Sequence, residues 1–110
     1  YILDRKSDMI VTGGENVYPR EVEDILLQDA DILEVAVFDL PDARWVQKVV
    51  AAVVPRGALD PDALLLRVRQ KLAGYKCPKE IFVTDALPKN AAGKVLRKTL
   101  REIYRARETA

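Results

Sequence analysis

The stretch LPKNAAGKVLRK, residues 87 to 98, places Lys94 directly after a glycine and just before a basic run. A lysine in that setting has two readings. It is an ordinary solvated cation, or it is a point charge that a flexible glycine-flanked loop carries into a site built elsewhere, where it stabilises negative charge. Residue types for other chemistry are missing. The chain has no histidine, which excludes an imidazole base, and one cysteine, Cys77, which excludes a disulfide framework and a Cys/His zinc site and points to an intracellular, cytoplasmic setting. With no base or second cysteine near it in sequence, Cys77 reads as a small loop residue, not a nucleophile. AAGKV is no phosphate-binding P-loop, because the first glycine and the Ser/Thr after the lysine are absent. TGGEN, residues 12 to 16, reads as a tight turn.

These residues need a scaffold. In 110 residues, 49% hydrophobic and 32% charged with a net charge of +1, there is material for one soluble domain with a modest core, and no global field for nucleic acid or an anionic membrane. No stretch approaches the roughly 20 apolar residues of a membrane span, and no signal peptide is visible. From Lys89 to Arg107 seven Lys or Arg face one acid, Glu102, a patch suited to phosphate. The chain opens inside a strand-like run without a methionine, which predicts a piece of a longer polypeptide.

Short strands are expected over residues 1 to 4 and 8 to 12, then a helix from Pro19 to about Asp29 with Val22, Ile25 and Leu26 inward. Strands follow over 32–40, with Leu33, Val35 and Val37 on one side, over 46–55, and over 80–85. Between the last two, Asp60 caps a helix that starts at Pro61 and turns Leu64, Leu65, Val68 and Leu72 inward. A last helix, about 95 to 106, is expected to bury Leu96, Leu100, Ile103 and Tyr104 and to expose Arg97, Lys98, Arg101 and Arg105. The class is α+β: a small sheet of about three main strands plus a short N-terminal hairpin, packed with about three helices.

Four ordered stretches say more: DRKSDMIVTGGENVYPREVE (4–23), LPDARWVQKVVAAVVP (40–55), YKCPKEI (75–81) and LPKNAAGKVLRK (87–98). Together they resemble the C-terminal domain of acyl-CoA synthetases, in the acyl-adenylate-forming superfamily, over essentially the whole chain. GGENVYP is more similar to fatty-acyl and aryl-CoA ligases than to peptide-synthetase domains. The resemblance implies that residues 1–110 are the lid of a longer enzyme, with residues 1–7 beside its hinge. The full chain would activate a carboxylic acid with ATP to an acyl adenylate and then pass the acyl group to CoA, the lid rotating between steps to present another face to one active site. ATP, Mg2+ and the acid would be bound mainly by an N-terminal domain of the same chain, so the isolated lid is expected to be inactive. The resemblance leaves a homodimer of the full-length enzyme open.

Carried over residue by residue, the resemblance makes Lys94 the catalytic lysine of adenylate formation, Arg5 a contact to the ATP ribose and Ser7 the hinge, although relatives commonly have Asp or Lys at that position. It makes Gly13, Gly14 and Glu15 part of the pantetheine tunnel. Trp45 and Tyr75 would flank the CoA adenine, with Lys76 and Lys79 meeting its phosphates; some relatives carry arginine where this chain has Cys77. Alternatives are the lid of another adenylate-forming enzyme, one that loads a carrier protein or oxidises the adenylate, and a free-standing module whose basic helix meets nucleic acid or an acidic partner. The near-zero net charge and the lack of RNA-binding aromatic motifs stand against nucleic acid.

Overall fold

The longest β-branched runs make the centre of the molecule. In the computed structural model, which describes residues 9–44, 46–72, 74 and 76–109, strand β3 (Ile32–Asp42) pairs antiparallel with β4 (Val46–Pro55), and β4 pairs parallel with β5 (Glu80–Val83). Parallel pairing demands a crossover, and helix α2 (Pro61–Arg69) supplies it. Asp60 caps α2 as expected, its Oδ1 accepting the N–H of Asp62 at 3.0 Å, with Pro61 at the first helical position. A hairpin of β1 (Ile10–Thr12) and β2 (Glu15–Val17) precedes helix α1 (Pro19–Leu26), and helix α3 (Arg97–Thr109) comes last. The α+β class is as read from the sequence. No helix among the described residues is long and apolar enough to cross a membrane.

Both faces of the sheet are covered, which is why β4 reads as an almost unbroken apolar run. Val35, Val37, Ala51 and Val53 pack with α1 and α2 through Val22, Leu26, Leu64 and Val68, while the alternate set, including Ala36, Phe38, Val50 and Ala52, packs with Leu100 and Tyr104 of α3. Leu33 departs from the expected alternation. The β3–β4 register slips between Ile32 and Glu34, and this bulge leaves Leu33 exposed while Ile32 is buried.

Three expectations need correction. The strand over 8 to 12 exists as β1, but its partner is β2, built from residues that read as turn; the run 1 to 4 lies outside the described residues. Helix α1 buries Glu23 beside Val22 and Leu26, and Ile25 is only half-buried. Helix α3 starts at Arg97, and Ile103 and Leu96 are 40% and 36% exposed. The side of α3 turned to the sheet carries Arg97, Leu100, Arg101 and Tyr104 instead, with the Tyr104 ring stacked 4.2 Å from that of Phe82.

The cause of that rotation is the open edge of β3, the outer strand of the β3-β4-β5 sheet. The Val37 N–H donates to Glu23 Oε2 at 2.9 Å, and the Val37 carbonyl accepts from Arg97 Nε at 3.0 Å. Arg97 Nη2 closes the ring by donating to the same Glu23 oxygen at 2.8 Å. Carboxylate and guanidinium together do for Val37 what a neighbouring strand would do, and they clamp α1 and α3 to one residue of the sheet. Their aliphatic stems cover apolar surface on the way. Elsewhere, Arg67 of α2 grips Asp29 at the α1–β3 turn in a two-point contact, Nε to Oδ2 at 2.7 Å and Nη2 to Oδ1 at 3.3 Å. The Arg67 guanidinium, against a smaller opposing effect of burial, holds the Asp29 carboxyl below its ordinary value of 3.8.

Side chains of Glu23 and Arg97 are only 12% and 14% exposed. Removing one partner strands the other, so Glu23→Ala and Arg97→Ala should each destabilise by about 3 kcal/mol or more. The double variant should lose much less than the sum, as read from urea midpoints. For Asp29 the folded-state pKa is depressed, so its contribution is fully present above the unfolded value and fades as pH falls through the folded one. Arg67→Met should therefore lower stability at pH 5 to 7, and the gap to the parent should close as pH drops below about 3.8. A gap independent of pH would exclude this ion pair as its source.

Candidate functional site

Lys94 sits on a loop whose backbone is closed by its own hydrogen bonds. Lys89 and Val95 form an antiparallel bridge at its base, and the Leu96 N–H donates to the Pro88 carbonyl at 2.9 Å. Inside, the Asn90 N–H donates to the Lys94 carbonyl and the Gly93 N–H to the Asn90 carbonyl, both at 2.9 Å. The Asn90 side chain completes the closure: its Oδ1 accepts the N–H of Ala92 at 2.9 Å and of Lys94 at 3.0 Å. Gly93 has φ +83°, and a Cβ there would meet nothing within 4 Å, so conformation and not space calls for glycine. The Lys94 side chain is exposed and makes no hydrogen bond or ion pair among the described residues. Both flanks are anchored, by Lys89 to Glu34 on β3 and by Arg97 to Glu23. A hydrogen-bonded backbone thus presents an exposed cation.

The Gly13-Gly14 pair forms the two-residue turn between β1 and β2, with φ values of 56° and 84°, the positive pair that a type I′ hairpin requires. Gly14 again has open space around a would-be Cβ, so φ alone explains it. Glu15 is exposed and opposite Thr12. The base of the hairpin is buried through Ile10 and Val17, and the Val11 N–H donates to Gln47 Oε1 on β4 at 2.9 Å.

Of the residues assigned to CoA from sequence, Lys76 and Lys79 are described. Near the start of β4, Gln47 holds the hairpin and the Val49 carbonyl accepts the Lys79 N–H at 2.7 Å. Val46 is 75% exposed with φ +70°, a strained value for a β-branched residue. Lys76 Nζ is ion-paired with Glu21 on α1 at 2.9 Å, so an incoming phosphate would have to compete for it. Cys77 is buried, and desolvation pushes its thiol up despite Arg69 and Lys79 nearby, which fits a packing role. Trp45, Tyr75, Arg5 and Ser7 lie outside the described residues.

Lys94 belongs to the other end. Its loop is tied to Glu34, whereas Gln47 faces Pro41, seven residues further along β3. That separation is roughly 24 Å of extended strand. Sequence reasoning missed the polar groups that fix both sites, Glu34, Asp39 and Gln47, because each reads alone as a solvated strand residue. The basic run is also less free than it reads, since Lys89, Arg97 and Arg101 are paired with Glu34, Glu23 and Asp39.

A family model described as AMP-binding enzyme C-terminal domain matches residues 21–94. Among curated relatives, a 2-succinylbenzoate–CoA ligase of Bacillus cereus is 42% identical over 103 residues, 94% of this chain and 21% of the relative. A solved fatty acyl CoA synthetase of Mycobacterium tuberculosis matches with a TM-score of 0.90 at 41% identity, over 97% of this chain and 22% of that one. The o-succinylbenzoate CoA synthetase of Bacillus subtilis, solved with its acyl-adenylate intermediate, matches with a TM-score of 0.86 at 40% identity, over 92% and 21%. The chain spans about a fifth of the length of these relatives.

If the loop is held as described, Asn90→Ala should raise amide hydrogen exchange at Ala92 and Lys94 about tenfold, the scale of one lost hydrogen bond. Gly93→Ala should cost about 1–2 kcal/mol through its positive φ. Gly57→Ala, with equally open space and no such φ, is the control and should be neutral or nearly so. Equal effects at positions 57 and 93 would remove the conformational argument.

Proposed function

The chain belongs to the family of AMP-binding enzyme C-terminal domains, and from that premise we propose that it is the mobile lid of an ATP-dependent acyl-CoA synthetase. The observation that carries the reading is Lys94: exposed, without an ion partner among the described residues, and mounted on a hydrogen-bonded loop at the last position of the family match. In adenylate formation negative charge builds where a carboxylate oxygen meets the α-phosphorus, and an ammonium delivered there from a fixed backbone stabilises it without reorganisation. Residues 1–110 form the lid and residues 1–7, with Ser7 as pivot and Arg5 toward the ATP ribose, the hinge-proximal part.

The second half-reaction uses the other end of the domain. Rotation would withdraw Lys94 and bring in the Gly13-Gly14 turn, whose exposed backbone amides can line a pantetheine passage, with Glu15 beside it. Trp45 and Tyr75 would bracket the adenine, and Lys79 and Lys76 would meet phosphate, Lys76 after leaving Glu21. Magnesium would be bound mainly with ATP by the N-terminal domain. The acid is also decided outside the lid, because relatives named for 2-succinylbenzoate and for fatty acyl groups share it at 42% and 41% identity. The reading as a nucleic-acid module loses support, since at least three of the seven cations from Lys89 to Arg107 are already ion-paired.

In the full-length enzyme, Lys94→Ala should slow acid-dependent pyrophosphate release by about 10²–10³, the usual loss for one transition-state donor. Consumption of presynthesised acyl adenylate by CoA should stay near the parent rate. Lys94→Arg should rescue poorly, since a planar fork does not replace a compact ammonium. Lys98→Ala, exposed and in the same basic run, is the control for simple charge loss. Equal slowing of both half-reactions by Lys94→Ala, or equal slowing by Lys94→Ala and Lys98→Ala, would refute the assignment.

A further inference from the structure

A polar chain crosses from α3 to the hairpin. Arg101 Nε donates to Asp39 Oδ1 at 2.8 Å, Gln47 Nε2 donates to Asp39 Oδ2 at 2.7 Å, and Gln47 Oε1 accepts the Val11 N–H at 2.9 Å. Each link dictates the next. The guanidinium can only donate and takes one carboxylate oxygen; the carboxylate can only accept and so draws the amide nitrogen of Gln47 toward itself. The Gln47 oxygen is thereby aimed at the far end, where a backbone N–H must donate. Burial of Ile10 and Val17 anchors the base of the hairpin, but apolar contact has no direction and does not set the tilt of the turn. The bond from Gln47 to Val11 does.

We propose that Asp39 and Gln47 are positioning residues for the Gly13-Gly14 turn, held in register by Arg101, and that they act selectively on acyl transfer to CoA. The selectivity rests on the lid reading above; the positioning rests on geometry alone. Asp39 side chains at 14% and Arg101 at 30% exposure are shielded enough for the pairing to hold direction. The relay also joins the helix that follows the Lys94 loop to the hairpin.

The polarity of the relay supplies its test. Gln47→Glu sets carboxylate against carboxylate, and Asp39→Asn leaves one acceptor where two donors arrive. Combined, the two changes restore the pattern: the new amide at position 39 offers oxygen to Arg101 and nitrogen to the new carboxylate at position 47, whose second oxygen takes the Val11 N–H. Net charge is that of the parent. In the full-length enzyme, each single variant should raise hydrogen exchange across residues 10 to 17 about tenfold and slow acyl transfer from presynthesised adenylate to CoA about tenfold. Adenylate formation should stay within about twofold, and the double variant should recover both readouts. Unchanged exchange in the single variants, or a double variant that recovers nothing, overturns the positioning role. Raised exchange with both half-reactions slowed alike overturns the selectivity. A parent enzyme that forms no acyl adenylate refutes the lid reading instead, and the exchange pattern still decides whether Asp39 and Gln47 hold the turn.

Discussion

Everything in this domain hangs on one residue's unpaired backbone. Val37 lies on the outer strand, where its N–H and carbonyl have no neighbouring strand, and a buried edge left open is costly and invites wrong pairing. Glu23 reaches it from α1 and Arg97 from α3, and because both bind the same residue and each other, the two helices on opposite faces are referenced to one point. The rotation of α3 about its axis follows: arginines face the sheet edge and Ile103 faces out. Lys94, three residues before Arg97, leaves the domain where that rotation sends it.

The same logic keeps the lysine loop and the glycine hairpin apart on one small body. Glu34 near one end of β3 and Asp39 toward the other each hold a basic side chain from the C-terminal segment, Lys89 and Arg101. β3 acts as a rigid rail, buried by both core clusters, with the lysine loop at one end and the glycine hairpin at the other. In the lid role proposed above, such a body would need no internal rearrangement to change its chemistry. Rotating the whole body would suffice, which is the physical content of domain alternation.

How much of this was legible depended on whether a signal is local. The presence of strands β3 and β4 and the Asp60-Pro61 helix start are written in neighbouring residues, and the structure has them there. Glu23 and Arg97 are 74 residues apart, and each alone reads as a solvated charge; only the fold makes them partners. Helical periodicity consequently misplaced the buried side of α3, since it counts Ile103 as core and two arginines as surface. Leu33 failed for a different reason, a bulge that no alternation rule anticipates. The glycine pair was legible as a turn but not as a hairpin, because Glu15 and Asn16 are poor strand formers held by their pairing to β1. Expectations for Lys94, Gly13 and Gly14 came from ordered motifs; Asp39 lies outside those motifs, Gln47 lies within one without a role read there, and their pairing emerges only from distances.

The fixed Lys94 loop also has an energetic rationale that a flexible one would lack. Ordering a backbone costs about 1–2 kcal/mol per residue, so, in the proposed lid role, a loop that folded only on closure would add that cost for residues 90–94 to every cycle. A lysine side chain alone carries about 2 kcal/mol of rotamer entropy. With Asn90 and the positive-φ Gly93 holding the backbone in advance, the proposed closure would have only the four-carbon stem to immobilise. The cation keeps its reach, and most of the ordering was completed when the domain folded. This is preorganisation at the level of a single loop, and it accounts for the combination that the opening stretch presents: a turn-forming asparagine, small residues, a glycine that must adopt positive φ, and then the lysine.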